Sequence, residues 1–194
     1  NLTRTKVSDL TPLKGMPLQS LYVAFSGVSD LTPLKGMPLT HLYLRETKIS
    51  DLTPLKGMPL QSLYLMGTKI SDLTSLKGMP LQSLNLRQTK VSDLTPLKGM
   101  PLKWLDIRQS KVSDLSPLKD MPLERLCIDG TPVEDLSPLA GLRVKDLAFT
   151  PTNIRRGVDI VRHMMSIEQL GLEESHLLPA AEFWKKYDAG EFSK

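Results

Sequence analysis

The sequence predicts an α/β solenoid: a coil of short parallel strands joined by tight return turns and closed at its end by an α-helix. Three observations carry this reading. The segment "KVSDLTPLKGMPL" at Lys90 to Leu102 recurs in close copies along most of the 194 residues. Aligned on the apolar residue that precedes Ser-Asp in most of them, the copies begin at Val7, Val28, Ile49, Ile70, Val91, Val112, Val133 and Ile154, a step of 21 residues each time. Within each copy the same apolar columns return in register. A fixed period of this length marks a stack in which every repeat is one turn and buries its apolar face only against its neighbours.

Each element of a turn follows from its letters. The apolar positions of one turn are Val7, Leu10, Leu13, Met16, Leu18, Leu21 and Val23, and these columns form the core. Leu21-Tyr22-Val23 alternates, with Ser20 and Ala24 continuing the outward side, so each turn contributes one short strand to a parallel sheet. Pro17 suits the start of that strand, where a missing N–H does least harm. Thr11-Pro12-Leu13-Lys14-Gly15 combines a helix start with a glycine stop, leaving room for a single 3₁₀-like turn on the return side.

Three further rows have structural readings. Asp9, Asp30, Asp51, Asp72, Asp93, Asp114 and Asp135 place one carboxylate per turn, far short of the six to eight oxygens a calcium ion takes, so turn capping is expected and no metal. Met16, Met37, Met58, Met79, Met100 and Met121 are read as core packing, since Leu142 takes the next position in the row. The lysines at Lys14, Lys35, Lys56, Lys77, Lys98 and Lys119, with those at Lys48, Lys69, Lys90 and Lys111, supply most of the +4 net charge. They keep a solenoid soluble, and without interleaved aromatics they predict no nucleic-acid partner.

The ends differ from the middle. Ile154 to Ile167 spans two more residues than Val7 to Leu18, and Ile154, Val158, Val161 and Met165 recur at helical spacing, which predicts an α-helix in the last return. Ile167 to Leu172 then gives the final strand. Pro179 opens and Gly190 closes a capping helix whose apolar stripe is Ala180, Phe183, Trp184 and Tyr187. The expected organisation is a solenoid over 1–175, with a partial repeat at 1–6, seven 21-residue repeats at 7–153 and a longer one at 154–175, followed by a capping helix and tail at 176–194. Leu2 and Thr5 already occupy repeat positions with no cap before them, so a covering segment or a longer parent chain is expected.

The stretch Leu18-Gln-Ser-Leu21-Tyr-Val23-Ala-Phe-Ser26-Gly-Val28 resembles the leucine-rich-repeat pattern L-x-x-L-x-L-x-x-N-x-L, and the match recurs from Leu2 to about Ser175. The "SDLTPL" wording is similar to the short internalin-like repeats of bacterial proteins, here one residue shorter between the Pro-Leu turn and the strand. The resemblance implies a right-handed solenoid with its sheet on the concave side and 3₁₀ turns on the convex side, bacterial origin, and protein or peptide recognition. One departure is that Ser or Thr replaces the usual Asn, at Thr5, Ser26, Thr47, Thr68, Thr89, Ser110, Thr131, Thr152 and Ser175. A hydroxyl satisfies fewer backbone groups than an amide, so a tighter turn is expected, with the hydroxyls serving the backbone rather than an ice surface. The tail "PAAEFWKKYDAGEF" is similar to tails of bacterial leucine-rich-repeat proteins, some linked to serine/threonine kinases, which implies a spacer or scaffold as the alternative role.

What varies between turns is the outward side of the strands. Tyr22, Tyr43 and Tyr64 should stand side by side, with Phe25, His41, Arg45, Met66, Arg87, Trp104 and Arg108 around them, and these ten are the candidate partner-binding residues. Such types dominate protein interfaces because they offer large amphipathic contact area. Stacked tyrosines also stabilise neighbouring strands, but the same rows hold Asn, Cys and Ala that sheet propensity does not select. Asp106, Asp129, Asp146, Glu173 and Glu174 are expected to make the far end of the face acidic. The expected partner is a protein or peptide, and the chain itself a monomer.

No catalytic constellation is expected. His41 lies between Ser20 and Ser62 without a carboxylate to orient its ring. Cys127 should point outward as a chance surface thiol between Arg125 and Asp129. No P-loop, dinucleotide loop, zinc spacing or kinase signature occurs, so no cofactor is expected. The single cysteine excludes an internal disulfide framework, which points toward the cytoplasm while leaving the compartment open, and no apolar run is long enough to span a bilayer.

Overall fold

The computed structural model describes residues 1–192, so the last two residues of the expected tail lie outside it. Eight strands of three residues each run parallel in chain order: β1 (Ser20–Tyr22), β2 (His41–Tyr43), β3 (Ser62–Tyr64), β4 (Ser83–Asn85), β5 (Trp104–Asp106), β6 (Arg125–Cys127), β7 (Asp146–Ala148) and β8 (Gln169–Gly171). The register never slips: Leu21 pairs with Leu42, Leu42 with Leu63, and so on to Leu147 with Leu170. Since side chains alternate across a strand, this register puts every strand leucine into one buried column.

Opposite each of the first seven strands lies the predicted 3₁₀ turn, as at Thr11–Leu13 and Thr32–Leu34. The Leu13 and Lys14 N–H groups donate to the carbonyls of Leu10 and Thr11 at 2.9 and 3.1 Å. Asp9 prepares the turn by accepting the Thr11 N–H at 2.8 Å, and the same bond recurs at Asp30, Asp51, Asp72, Asp93, Asp114 and Asp135. These are the expected caps. The apolar columns fill the space between sheet and turns, and from Val28 to Phe149 they are nearly inaccessible to water. In the first turn Met16 is 43% exposed, whereas Met37 is 3% exposed.

Ladder hydroxyls serve the backbone. Thr47, Thr68 and Thr89 are buried and donate to the Leu44, Leu65 and Leu86 carbonyls at 2.7, 2.6 and 2.6 Å, closing the bend after each strand. Two expected members do not join. Thr152 is exposed within a 3₁₀ turn at Pro151–Asn153, where the Asn153 amide donates to the Thr131 carbonyl instead, and Ser175 is exposed beyond β8.

The C-terminal end departs further. The α-helix predicted from Ile154, Val158, Val161 and Met165 is the short α1 (Val158–Arg162), because Gly157 at φ 81° breaks the chain ahead of it; a Cβ there would sit 2.5 Å from the Ser137 nitrogen. Met165 therefore lies past the helix and is 99% exposed. A ninth strand, β9 (Leu177–Pro179), turns back antiparallel on β8 and closes the sheet. It leads into α2 (Ala180–Asp188), whose Phe183 is fully buried against Phe149 at a ring separation of 5.6 Å. Ala180, Trp184 and Tyr187 cover the same core, as the stripe predicts.

Candidate functional site

The open face of the sheet carries the site, and its aromatic part is a stack. Outward residues on successive strands in register are neighbours, so Tyr22, Tyr43 and Tyr64 line up with ring centroids 4.3 and 4.6 Å apart and planes 9° and 17° from parallel. Those separations fall below the strand spacing of about 4.8 Å, as they must on the inner side of a curved sheet. Trp104 extends the stack, its ring 5.4 Å from Tyr64 although β4 lies between them. The gap closes because β4 presents only Ser83 and Asn85. The sequence set Trp104 among the residues around the tyrosines; the small residues on β4 are the signal that joins it to their stack.

Burial and the Tyr22 hydroxyl beside it push the Tyr43 phenol up to about 12, so this ring of the comb is uncharged at neutral pH. Tyr43 and Tyr64 each have ring neighbours on both sides, so these two reach solvent chiefly through their edges and hydroxyls, while Tyr22 at the end of the row is 40% exposed.

Beside the comb, Phe25 is 39% exposed and lies between two guanidinium groups, Arg45 at 5.0 Å and Arg4 at 5.5 Å from its centroid. This cation–π pairing holds both arginines over the rim of the sheet. His41 is half-buried with its Nδ1 2.9 Å from the Thr40 hydroxyl, Met66 is half-buried, and Arg87 shares a 3.4 Å bond from its Nε to Gln109. Tyr22, Phe25, His41, Tyr43, Arg45, Tyr64, Met66, Arg87 and Trp104 therefore keep at least part of their surface on this face.

Arg108 does not. It is 8% exposed, and its guanidinium is held by the fully buried Asp106 and by Glu174 from the turn between β8 and β9. Of the acids expected at the far end of the face, three are engaged in ion pairs, while Glu173 is exposed and Asp129 forms no ion pair among the described residues. Asp146 is bridged by Arg125 at 2.7 Å, and Asp106 takes further bonds from the Asn85 amide and the Arg108 N–H, both at 3.1 Å. Short outward side chains on β4 to β8 fold back onto the sheet or lie beneath the chain that returns after β8. Cys127 is accordingly 2% exposed instead of pointing to solvent, and burial pushes its thiol pKa up, away from reactivity. The face is thus divided into an open aromatic half with arginines at its edge and a half closed by internal ion pairs.

A polar hollow of about 490 Å³ at the boundary is lined by Arg87, Arg108, Arg125, Asp129, Glu173 and Glu174. Asp129 is pushed up to about 6, chiefly by burial, and its Oδ1 has no partner among the described residues. No group of three or more His, Cys, Asp or Glu among the described residues is arranged to hold a metal ion. No helix there is long and apolar enough to cross a membrane.

A parallel sheet built from one strand per 21-residue turn, with 3₁₀ returns behind it, defines a right-handed leucine-rich-repeat solenoid. Its solved neighbours make it internalin-like. Internalin C2 from Listeria monocytogenes superposes with a TM-score of 0.71 at 28% identity, covering 79% of this chain and 70% of that one. A second internalin from the same organism, inlF, superposes with a TM-score of 0.66 at 26% identity, covering 89% of this chain and 60% of that one. No protein-family model and no curated protein matches the chain.

Proposed function

We propose that the chain is a non-catalytic recognition module that binds a protein or peptide through the concave face, with Tyr22, Tyr43, Tyr64 and Trp104 as the contact surface and Phe25, Arg45 and Arg87 at its edge. The internalin-like leucine-rich-repeat fold supports a protein-interaction role in general. One observation carries the finer reading: the large aromatic side chains of this face stand together on the half that no other segment covers. Stacking alone is worth about 0.5–1.5 kcal/mol per pair, and leucine or valine would serve strand stability as well. Exposed hydroxylated rings beside arginines are instead the composition of an interface centre.

The test is substitution followed by capture. Tyr43→Ala/Arg45→Ala/Tyr64→Ala should abolish capture of a specific partner while the melting temperature falls by only a few degrees. Equal capture of every partner by the wild-type and triple-substituted chains would remove the aromatic surface from consideration.

A further inference from the structure

We infer that the concave face is built for an acidic polypeptide segment, one that seats carboxylates against Arg45 and Arg87 while its apolar groups cover Met66 and the ring edges. This rests on the concave-face reading and specifies its partner.

The argument begins with which charges are already used. On the closed half, Arg108 is paired with Asp106 and Glu174, and Arg125 with Asp146. On the open half, Arg4, Arg45 and Arg87 form no ion pair among the described residues; the Glu46 side chain lies over Gly67, and Arg87 also borders the hollow that holds Asp129, Glu173 and Glu174. The open half therefore presents guanidinium groups that no ion pair holds, Arg45 foremost, beside aromatic edges. Charges left unpaired at a patch edge steer and select an oppositely charged partner.

Backbone conformation gives a second, independent sign. The column after the arginine row is left-handed throughout, with φ between 53° and 70° at Arg4, Phe25, Glu46, Gly67, Gln88, Gln109 and Gly130. Gly67 and Gly130 show that glycine fits there. A side chain costs about 1–2 kcal/mol in this region, yet five turns carry one. Side chains kept where glycine is cheaper mark this rim as a working surface, continuous with the comb through Phe25 and Arg45.

Geometry favours a peptide over the other polyanions. Nucleobases and sugar rings bind by stacking on open aromatic faces. Here Tyr43 and Tyr64 each have ring neighbours on both sides, at 4.3 to 5.4 Å, which closes them to insertion and leaves stacking room only at the ends of the row. Arg45 and Arg87 stand two turns apart, roughly 9–10 Å along the sheet. A polyproline-type segment repeats its same-side residues every third position, about 9.3 Å, so acidic residues at i and i+3 reach both arginines.

The test is selection from a displayed library of random dodecapeptides on the immobilised chain. Enriched peptides should carry excess Asp and Glu. Binding of a selected peptide should weaken roughly tenfold or more on Arg45→Glu/Arg87→Glu, and less than about twofold on Lys48→Glu/Lys69→Glu, which changes net charge equally outside the face. Circular dichroism of each variant confirms that it is folded. Peptides that depend on Tyr43 and Tyr64 but show no acidic excess would overturn the inference and leave the concave-face reading intact. Equal loss on the lysine variant would overturn it as general charge attraction. A single-stranded oligonucleotide bound more tightly than any selected peptide, through Arg45 and Arg87, would overturn it in favour of nucleic acid. If no enriched peptide depends on Tyr43 or Tyr64, the concave-face reading falls, and this inference with it.

Discussion

Asp106 has no solvent exposure, and its two carboxylate oxygens accept bonds from Asn85, from the Arg108 N–H and from the Arg108 guanidinium at 2.6 and 2.9 Å. A buried pair of this kind is costly to break and cheap to replace, because removing one partner strands the other charge in a low-dielectric site. Arg108→Ala is expected to cost about 3–5 kcal/mol, read from the urea midpoint. Asp106→Leu/Arg108→Met, which removes both charges and keeps apolar volume, should recover most of that loss; an equally unstable double variant would show that the network beyond the pair matters more. The sequence disclosed half of this. A short acid two residues before an arginine is visible in the letters, but Glu174 closes on Arg108 from 66 residues away, and no local pattern announces it. The Asp row was legible because donor and acceptor are two residues apart.

At the level of elements, the repeated turns could be read directly since each is fixed by its own letters: Asp before the return, Pro in the 3₁₀ turn, Leu in the strand. The closing elements depend on what they meet. Nothing in the letters of Leu177 and Leu178 marks a strand, and it is the free edge of β8 that makes them β9. The stripe on α2 was readable from spacing, but not that Phe183 would be its only fully buried member, enclosed by Phe149, Trp184 and Phe192 at 4.9 to 5.6 Å. That enclosure makes it the anchor of the cap. Phe183→Ala should destabilise the chain by about 3–5 kcal/mol in urea, through lost burial and the cavity left behind. Because contacts in a solenoid run only between neighbours, the last turns should lose amide-exchange protection first. Uniform loss of protection along all turns would show that the repeats unfold as one unit.

Over the whole molecule, two sets of carboxylates pull stability in opposite directions as pH falls. Asp9, Asp30, Asp51, Asp72, Asp93 and Asp135 are held below the ordinary carboxyl value of 3.8, first by the hydroxyl and then by the N–H of the Thr or Ser two residues on. A group whose folded pKa is depressed stabilises fully above its unfolded pKa and loses that contribution as pH drops through the folded value. All six shift the same way because each turn repeats the same cap, so the urea midpoint should fall below about pH 4. Asp129 has the opposite sign. Burial raises it to about 6, so between 6 and 3.8 the folded chain holds a proton that the unfolded chain releases, and stability rises as pH descends through that window. The urea midpoint is therefore expected to peak near pH 4, declining on the acid side through the row of caps and, as pH rises from about 4 to 6, through Asp129. Asp129→Asn should flatten only the neutral limb, and Asp51→Asn should make only the acid limb shallower. A midpoint that stays level from pH 7 to pH 3 would show that neither the capped turns nor the buried carboxyl contributes as this geometry requires.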